Sequence, residues 1–345
     1  MKKFNKKFWK NKKVFVTGHT GFKGSWLCLL LKILGAKIVG YSLKPKKISL
    51  FNIAFVKKVL HKNFYGDICD LKKINKIIKL TKPDFIFHLA AQSIVSEGYK
   101  NPIETVRVNA LGTCSLIEAS EAVKTIKKIV IITTDKVYNH KKNLTFKEND
   151  LLQGSDPYSI SKVSAEHMIE FYKKRNPNKI LVARSGNVIG GGDFSENRLI
   201  PDIFKAIKSK KQLSIRNPNH IRPWLHVLEP LIGYLKLASY NQINTSNVFN
   251  FGPNLKNIKN VKYIINYINK KQKFSFYVKK NNSFYEKPHL KLNSNKSKKI
   301  LNWKQMWSLN QTLDKIIEWN YFINKDLSAK KICDKQISDY LKSID

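Results

Sequence analysis

The chain has 345 residues, room for about two domains and a sizeable core, and its 42% hydrophobic content is that of a globular protein. Sixty-four Lys plus Arg stand against twenty-four Asp plus Glu, a formal net charge of +40. The lysines are scattered over nearly every predicted surface and form no stripe beside a binding motif, which argues against nucleic acid, while their field would attract a small anion.

In chain order, Lys13–Thr17 reads as a short buried strand and Gly24–Leu34 as an apolar helix closed by Gly35. Lys37–Tyr41 is the second strand, and Asn63–Tyr65 a third that ends at Gly66-Asp67-Ile68. Leu71–Leu80 is an amphipathic helix and Asp84–Leu89 the fourth strand. A long helix over Pro102–Val123 precedes the strand Lys128–Thr133. The helix with Tyr158 and Lys162 runs to about Lys174, and Ile180–Arg184 is the sixth strand. This alternation predicts an α/β fold, a Rossmann-type doubly wound parallel sheet with helices on both faces.

Beyond Gly186 the pattern loosens. Gly190-Gly-Gly192 reads as a flexible turn, Leu199–Ser209 as a helix, Gln212–Ile215 as a strand, His226–Tyr240 as a helix and Val248–Phe251 as a strand. The expected division is a dinucleotide-binding domain over 1–185, with return segments about 221–252, and a smaller interleaved substrate lobe mainly over 186–345. Cys28, Cys69, Cys114 and Cys333 form no C-x-x-C pair, so neither disulfides nor a metal is expected. The basic start Met1–Lys10 lacks a signal-peptide core, and no run approaches the roughly 18 apolar residues of a membrane span. The expectation is a soluble, cytoplasmic protein.

Two motifs carry chemistry. Gly18, Gly21 and Gly24, with G-x-x-G-x-x-G spacing between a strand and a helix, suit a tight turn whose amides approach a pyrophosphate. Tyr158 and Lys162, four residues apart on a helix, share a face, so the ammonium would lower the phenol and make it a usable base. Together they read as a nicotinamide enzyme that takes a proton from a hydroxyl while its carbon gives up hydride. Asp67 and Ile68 suit an adenine pocket, or else Asp67 caps the next helix. The acidic residue expected after the second strand is absent, with Ser42 and Lys44 in its place, which leaves NAD against NADP open.

The chain resembles the extended short-chain dehydrogenase/reductases, and within them the CDP-glucose 4,6-dehydratase family. The motifs are Thr17–Leu27, His88–Gln92, Asn109–Thr113, Thr134–Tyr138, Asp156–Lys162, Arg184–Asp193 and Arg222–Pro230. The resemblance implies bound NAD, held by Gly18, Gly21, Phe22, Lys23, Gly24, Asp67, Ile68, Ala90, Gln92, Tyr158 and Lys162. It implies loss of water from a nucleotide sugar such as CDP-glucose, with Thr134 aligning the C4 hydroxyl and Asp135 the acid at C6. Lys136 stands where the related dTDP-glucose enzymes have a glutamate base; it is the C5 base if neutral, or an enolate stabiliser as a cation. Arg222 and Asn187 are expected on the diphosphate, with Arg198 and Arg216 as further candidates, and Trp224 and His226 as packing residues. Departures are Asn293, expected to cap a helix, and the basic loop Asn139–Asn143. Two other enzymatic readings remain, a nucleotide-sugar 4-epimerase, which needs no Asp135-Lys136 pair, and a dehydratase of another nucleotide sugar. A non-catalytic dinucleotide-binding protein is the reading from another class. The family's usual homodimer or homotetramer would pair through the helices near Pro102–Val123 and Tyr158–Lys174.

Overall fold

Seven parallel strands form one sheet in the computed structural model, which describes residues 4–139, 145–176, 179–240, 247–255, 258–279, 288–325 and 327–344. They are β1 (Lys13–Thr17), β2 (Lys37–Ser42), β3 (Lys62–Tyr65), β4 (Phe85–His88), β5 (Lys128–Thr134), β6 (Ile180–Ser185) and the strand Val248–Phe251. Their order across the sheet is Val248–Phe251, β6, β5, β4, β1, β2, β3. The strands inside the sheet read as apolar runs because helices bury both faces. The order reverses at β1, which pairs with β2 on one side and β4 on the other, and the crevice beyond those carboxyl ends is where such sheets take ligands.

The connecting helices are α1 (Phe22–Ile33), α2 (Leu50–Ile53), α3 (Leu71–Thr81), α4 (Val95–Lys100), α5 (Pro102–Val106), α6 (Gly112–Glu121) and α7 (Pro157–Arg175). In α3 the Asp70 carboxylate caps the Lys73 amide at 3.0 Å, Ile74, Ile77 and Ile78 turn inward, and Lys82 ends the helix in a left-handed conformation. One face of the sheet is covered by α1, the helix Leu228–Ser239 and the helix Ala329–Ser343; Trp26, Leu235 and Ile337 lie in that core. The opposite face buries Ile78, Leu116 and Ile169 of α3, α6 and α7. A separate cluster, with Ile203, Leu213, Trp224 and Ile264, lies beyond the sheet. It is built on two- and three-residue strand pairs.

Four expectations are revised. The helix over Pro102–Val123 is interrupted by a wide π turn at Arg107–Leu111, which turns Asn109 inward onto Gln92 and Ser161. Gly190-Gly-Gly192 is a buried, packed turn: a Cβ on Gly191 would lie 2.0 Å from the Trp319 ring, and Gly192 has φ +80°. His226 belongs to the strand Leu225–His226, paired with Val188–Ile189, and the helix begins at Leu228. Ser294 is the cap position of the helix Asn295–Leu301, with Asn293 one residue earlier accepting from the Asn295 amide at 2.8 Å. The basic loop Asn139–Asn143 lies, after its first residue, outside the described residues. Among the described residues no helix is long and apolar enough to cross a membrane, no cluster could hold a metal, and the four cysteines are free.

Candidate active site

A cavity of about 780 Å³ runs from the turn after β1, past the ends of β4 and β5, to the cluster beyond the sheet. At its first end Gly18 takes φ +70°, and a Cβ there would lie 2.6 Å from the Ala90 nitrogen. Inside the first turn of α1, a Cβ on Gly24 would come within 2.1 Å of the Gly18 carbonyl oxygen. Only glycine fits either place, and the result draws the helix start against the strand end. Gly21 precedes α1 without a side-chain cap, so the first amides stay available to an anion. This cradle fits the pyrophosphate of a dinucleotide.

Beyond it, Ser42 Oγ lies 2.8 Å from Thr20 Oγ1 and Lys44 is exposed, so the end of β2 carries no carboxylate. After β3, Asp67 accepts from the Cys69 amide at 2.9 Å and from Arg107 Nη2 at 2.8 Å. Burial pushes its carboxyl up, but these partners hold it below its ordinary value. Asp70, not Asp67, caps α3, which removes the capping alternative. Ile68 is buried under Gly112. The Ala90 amide donates to Thr17 Oγ1 at 3.2 Å. The Gln92 side chain shapes its own loop, donating to Thr105 Oγ1 at 2.9 Å and accepting from the Ile94 amide at 2.6 Å.

The reacting groups meet where β5 ends and α7 begins. A capping box between Asp156 and Ser159, with Pro157 in the first turn, sets the start of α7 and therefore Tyr158. Tyr158 lines the cavity together with Thr134, whose hydroxyl donates to Asp135 Oδ1 at 3.1 Å. Asp135 is 2% exposed, and Lys136, half-buried, donates its amide to Thr134 Oγ1 at 3.3 Å. Burial pushes the Tyr158 phenol up to about 12, against the pull of the Thr134 hydrogen bond and the Arg198 guanidinium. The Arg198 guanidinium thus joins the groups that favour the phenolate. Lys162 donates to the Ile132 carbonyl at 3.4 Å, and burial lowers its ammonium to about 8 with Glu166 opposing. Phe22 and Lys23 line the same cavity. Burial brings the Lys23 ammonium down to about 7, helped by the Arg198 and Lys162 cations and opposed by Asp135.

At the second end, Arg198 donates to Asp193 at 3.2 Å and, across the cavity, to Ser93 Oγ at 2.9 Å. Arg222 is buried, donating to the Ile221 and Pro288 carbonyls and lying 3.0 Å from His220 Nδ1. Arg216 donates to the Asn197 carbonyl at 3.3 Å, and the Asn187 carbonyl accepts from Leu225 at 3.0 Å. All four of these residues line the cavity. Trp224 packs, donates to the Lys259 carbonyl, and also reaches the cavity wall; His226 packs between Trp26 and Trp307.

Sequence reasoning missed the residues that hold these parts together. His19 fills the space opposite Gly40, its Nε2 2.6 Å from Asn63 Oδ1. His88 lies 2.8 Å from Thr17 Oγ1 and 3.1 Å from Thr113 Oγ1. Asn109 grips Gln92 on one side and donates to Ser161 Oγ on the other, one turn from Tyr158. Their signal was present in the polar residues that punctuate His88–Gln92 and Asn109–Thr113.

Residues 15–316 match the family described as GDP-mannose 4,6 dehydratase. The CDP-glucose 4,6-dehydratase of Salmonella typhimurium is 39% identical, over 98% of this chain and 99% of that protein. Among solved structures, the dTDP-glucose 4,6-dehydratase of Bacillus anthracis, a complex with NAD, superposes with a TM-score of 0.77 at 24% identity, covering 91% of this chain and 98% of that one. The UDP-glucose 4-epimerase of Thermotoga maritima, with UDP-glucose, gives 0.79 at 22% identity, over 91% and 99%. The glycine cradle, the Tyr158 and Lys162 helix and the Thr134-Asp135 strand end therefore lie in a chain that belongs to the GDP-mannose 4,6 dehydratase family.

Proposed function

We propose that this protein converts CDP-glucose to CDP-4-keto-6-deoxyglucose and water, with bound NAD and no net oxidation. The observation that carries the reading is that Tyr158, Thr134 and Asp135 line one cavity, with Thr134 hydrogen-bonded to Asp135, so a base and an acid face the same space. The nucleotide is taken from the 39% identical Salmonella relative.

NAD would be held by Gly18, Gly21, Phe22, Lys23, Gly24, Asp67, Ile68, Ala90, Gln92, Tyr158 and Lys162, and when bound would supply a hydride acceptor that is also the donor. Tyr158 takes the C4 hydroxyl proton, and Thr134 orients that oxygen. Lys162, cationic or nearly so, keeps positive charge near the phenolate that forms. The C4 ketone acidifies C5; Lys136 takes that proton or steadies the enolate, and Asp135 protonates the C6 hydroxyl as it departs as water, after which C6 would regain the hydride and C5 a proton, leaving the cofactor as it began. Arg222, Asn187, Arg198 and Arg216 line the end where a diphosphate would lie, and guanidinium forks suit its oxygens. The unit 1–185, with its returns, would hold the cofactor and the remainder the nucleotide sugar.

The exposed apolar residues Ile103, Val106, Ile160 and Met168 on α5 and α7 support a homodimer through these helices. Four free thiols, Cys28 and Cys333 of them buried, fit work in the cytoplasm.

The test is incubation of the protein and NAD with CDP-glucose, UDP-glucose and dTDP-glucose, followed by mass. Loss of one water from CDP-glucose is expected. Interconversion of C4 epimers without that loss would overturn the reading.

A further inference from the structure

Asp202 stands in the first turn of the helix Leu199–Ser209 and lines the cavity where that helix packs into the cluster beyond the sheet. Opposite it, the strand Leu213–Ile215 and Arg216 line the same end. Leu199, Ile200, Pro201 and Ile215 line the cavity beside it and give that part an apolar wall, which suits the face of a base. With the sugar at Tyr158 and the diphosphate among the arginines, the base of the nucleotide falls here.

A carboxylate in this place needs a reason. The ligand brings two phosphates, the chain holds few acids, and a carboxylate near them repels unless it meets a donor. Among the described residues no hydrogen bond or ion pair reaches the Asp202 side chain, while its backbone amide donates to the Arg198 carbonyl at 3.0 Å.

We propose that Asp202 reads the base: its carboxylate accepts a hydrogen bond from the amine at position 4 of cytosine and repels the carbonyl that uracil and thymine carry there. A carboxylate accepting from that amine is an established pairing chemistry, and a site built for a donor rejects the analogue that lacks it. The inference rests on the nucleotide-sugar reading above and explains how that site would choose its nucleotide.

Its protonation gives a second handle. Burial pushes the Asp202 carboxyl up to about 6; Arg216 across the slot and Lys205 on the same helix pull it down, and Glu196 and Asp193 in the preceding turn push it up. The discriminating form is the ionised one, so the preference is near full above about pH 7, halved near pH 6 and lost as pH falls further.

The experiment measures binding of CDP and UDP to the NAD-loaded protein and to Asp202→Asn, alongside turnover of CDP-glucose and UDP-glucose. The expected result is a CDP preference in the parent that collapses about tenfold or more in Asp202→Asn, with UDP binding unchanged or improved. Equal weakening of both nucleotides would mean the carboxylate holds the ribose hydroxyls, and an unchanged ratio would make it wall only; either overturns the proposal. If the variant does not fold, the parent's ratio measured from about pH 8 to about pH 5.5 decides: a falling CDP preference supports Asp202, a constant one overturns it. Failure of every nucleotide sugar to lose water would sink the reaction proposed above, while the CDP-to-UDP binding ratio would still test Asp202.

Discussion

Tyr158 and Asp135 differ in what their removal leaves behind. Tyr158→Phe deletes the hydroxyl that accepts the C4 proton but none of the glycine cradle. Turnover is expected to drop by at least about 10²–10⁴-fold while NAD binds within a few-fold of the parent. Titration of NAD alongside the dehydration rate checks both halves. Asp135→Asn keeps size and hydrogen bonding but cannot donate as an acid does. Oxidation at C4 is expected to survive and loss of the C6 hydroxyl to slow by about 10²–10⁴-fold. Reduced-nicotinamide absorbance should therefore accumulate on rapid mixing with CDP-glucose; product release at the parent rate would remove Asp135 from the acid's role.

At the scale of the element, the turn from β1 into α1 is the most constrained piece of backbone in the site. Gly24→Ala places a Cβ 2.1 Å from the Gly18 carbonyl, a backbone atom that cannot swing aside. Expected are a destabilisation of about 1–3 kcal/mol, seen in denaturant titration, and NAD affinity lowered by tenfold or more. Parent-like binding would mean the helix start can shift without harm to the cradle. This turn was legible because glycine spacing is local chemistry. So were β1, the helix Leu199–Ser209 and the strand Val248–Phe251, whose bounds match the apolar runs to the residue. The π turn at Arg107–Leu111 was not, since its cause is the tertiary grip of Asn109 on Gln92 and Ser161. Nor was the strand Leu225–His226, only two residues long and paired with Val188–Ile189, 37 positions earlier. Within the site, the residues were visible as motifs. Their electrostatics were not, because the Arg198 influence on Tyr158 comes from another part of the chain.

For the whole molecule, buried titratable groups set the acid limit. Burial lowers the imidazoles of His88 and His226 to about 3, with Lys162 and Lys315 adding to the effect. Their neutral forms are favoured by folding, so this stability is full above about pH 6.5 and is lost as pH falls toward 3. Glu229 runs the other way. Burial raises it to about 7 against hydrogen bonds from Tyr340, Trp307 and Met306, so its contribution is full below about 4.5 and lost as pH rises through 7. Two imidazoles, each displaced further than the one carboxyl, outweigh it. The denaturation midpoint should therefore fall between about pH 6.5 and about pH 4. A flat midpoint over that window would show that these histidines are hydrated.

The Glu229 carboxylate also ties together distant parts of the chain: it accepts from the Met306 and Trp307 amides and from the Tyr340 hydroxyl at 2.5 Å. The same core takes Trp9 and Trp26 from one end and Ile337 and Leu341 from the other. During synthesis, at about 5–20 residues per second, the outer face of α1 waits on the order of tens of seconds for its cover to be made. A nascent chain of this protein thus carries an uncovered apolar surface until the helix Ala329–Ser343 is made. The interval before that helix emerges is when a chaperone has the most to shield.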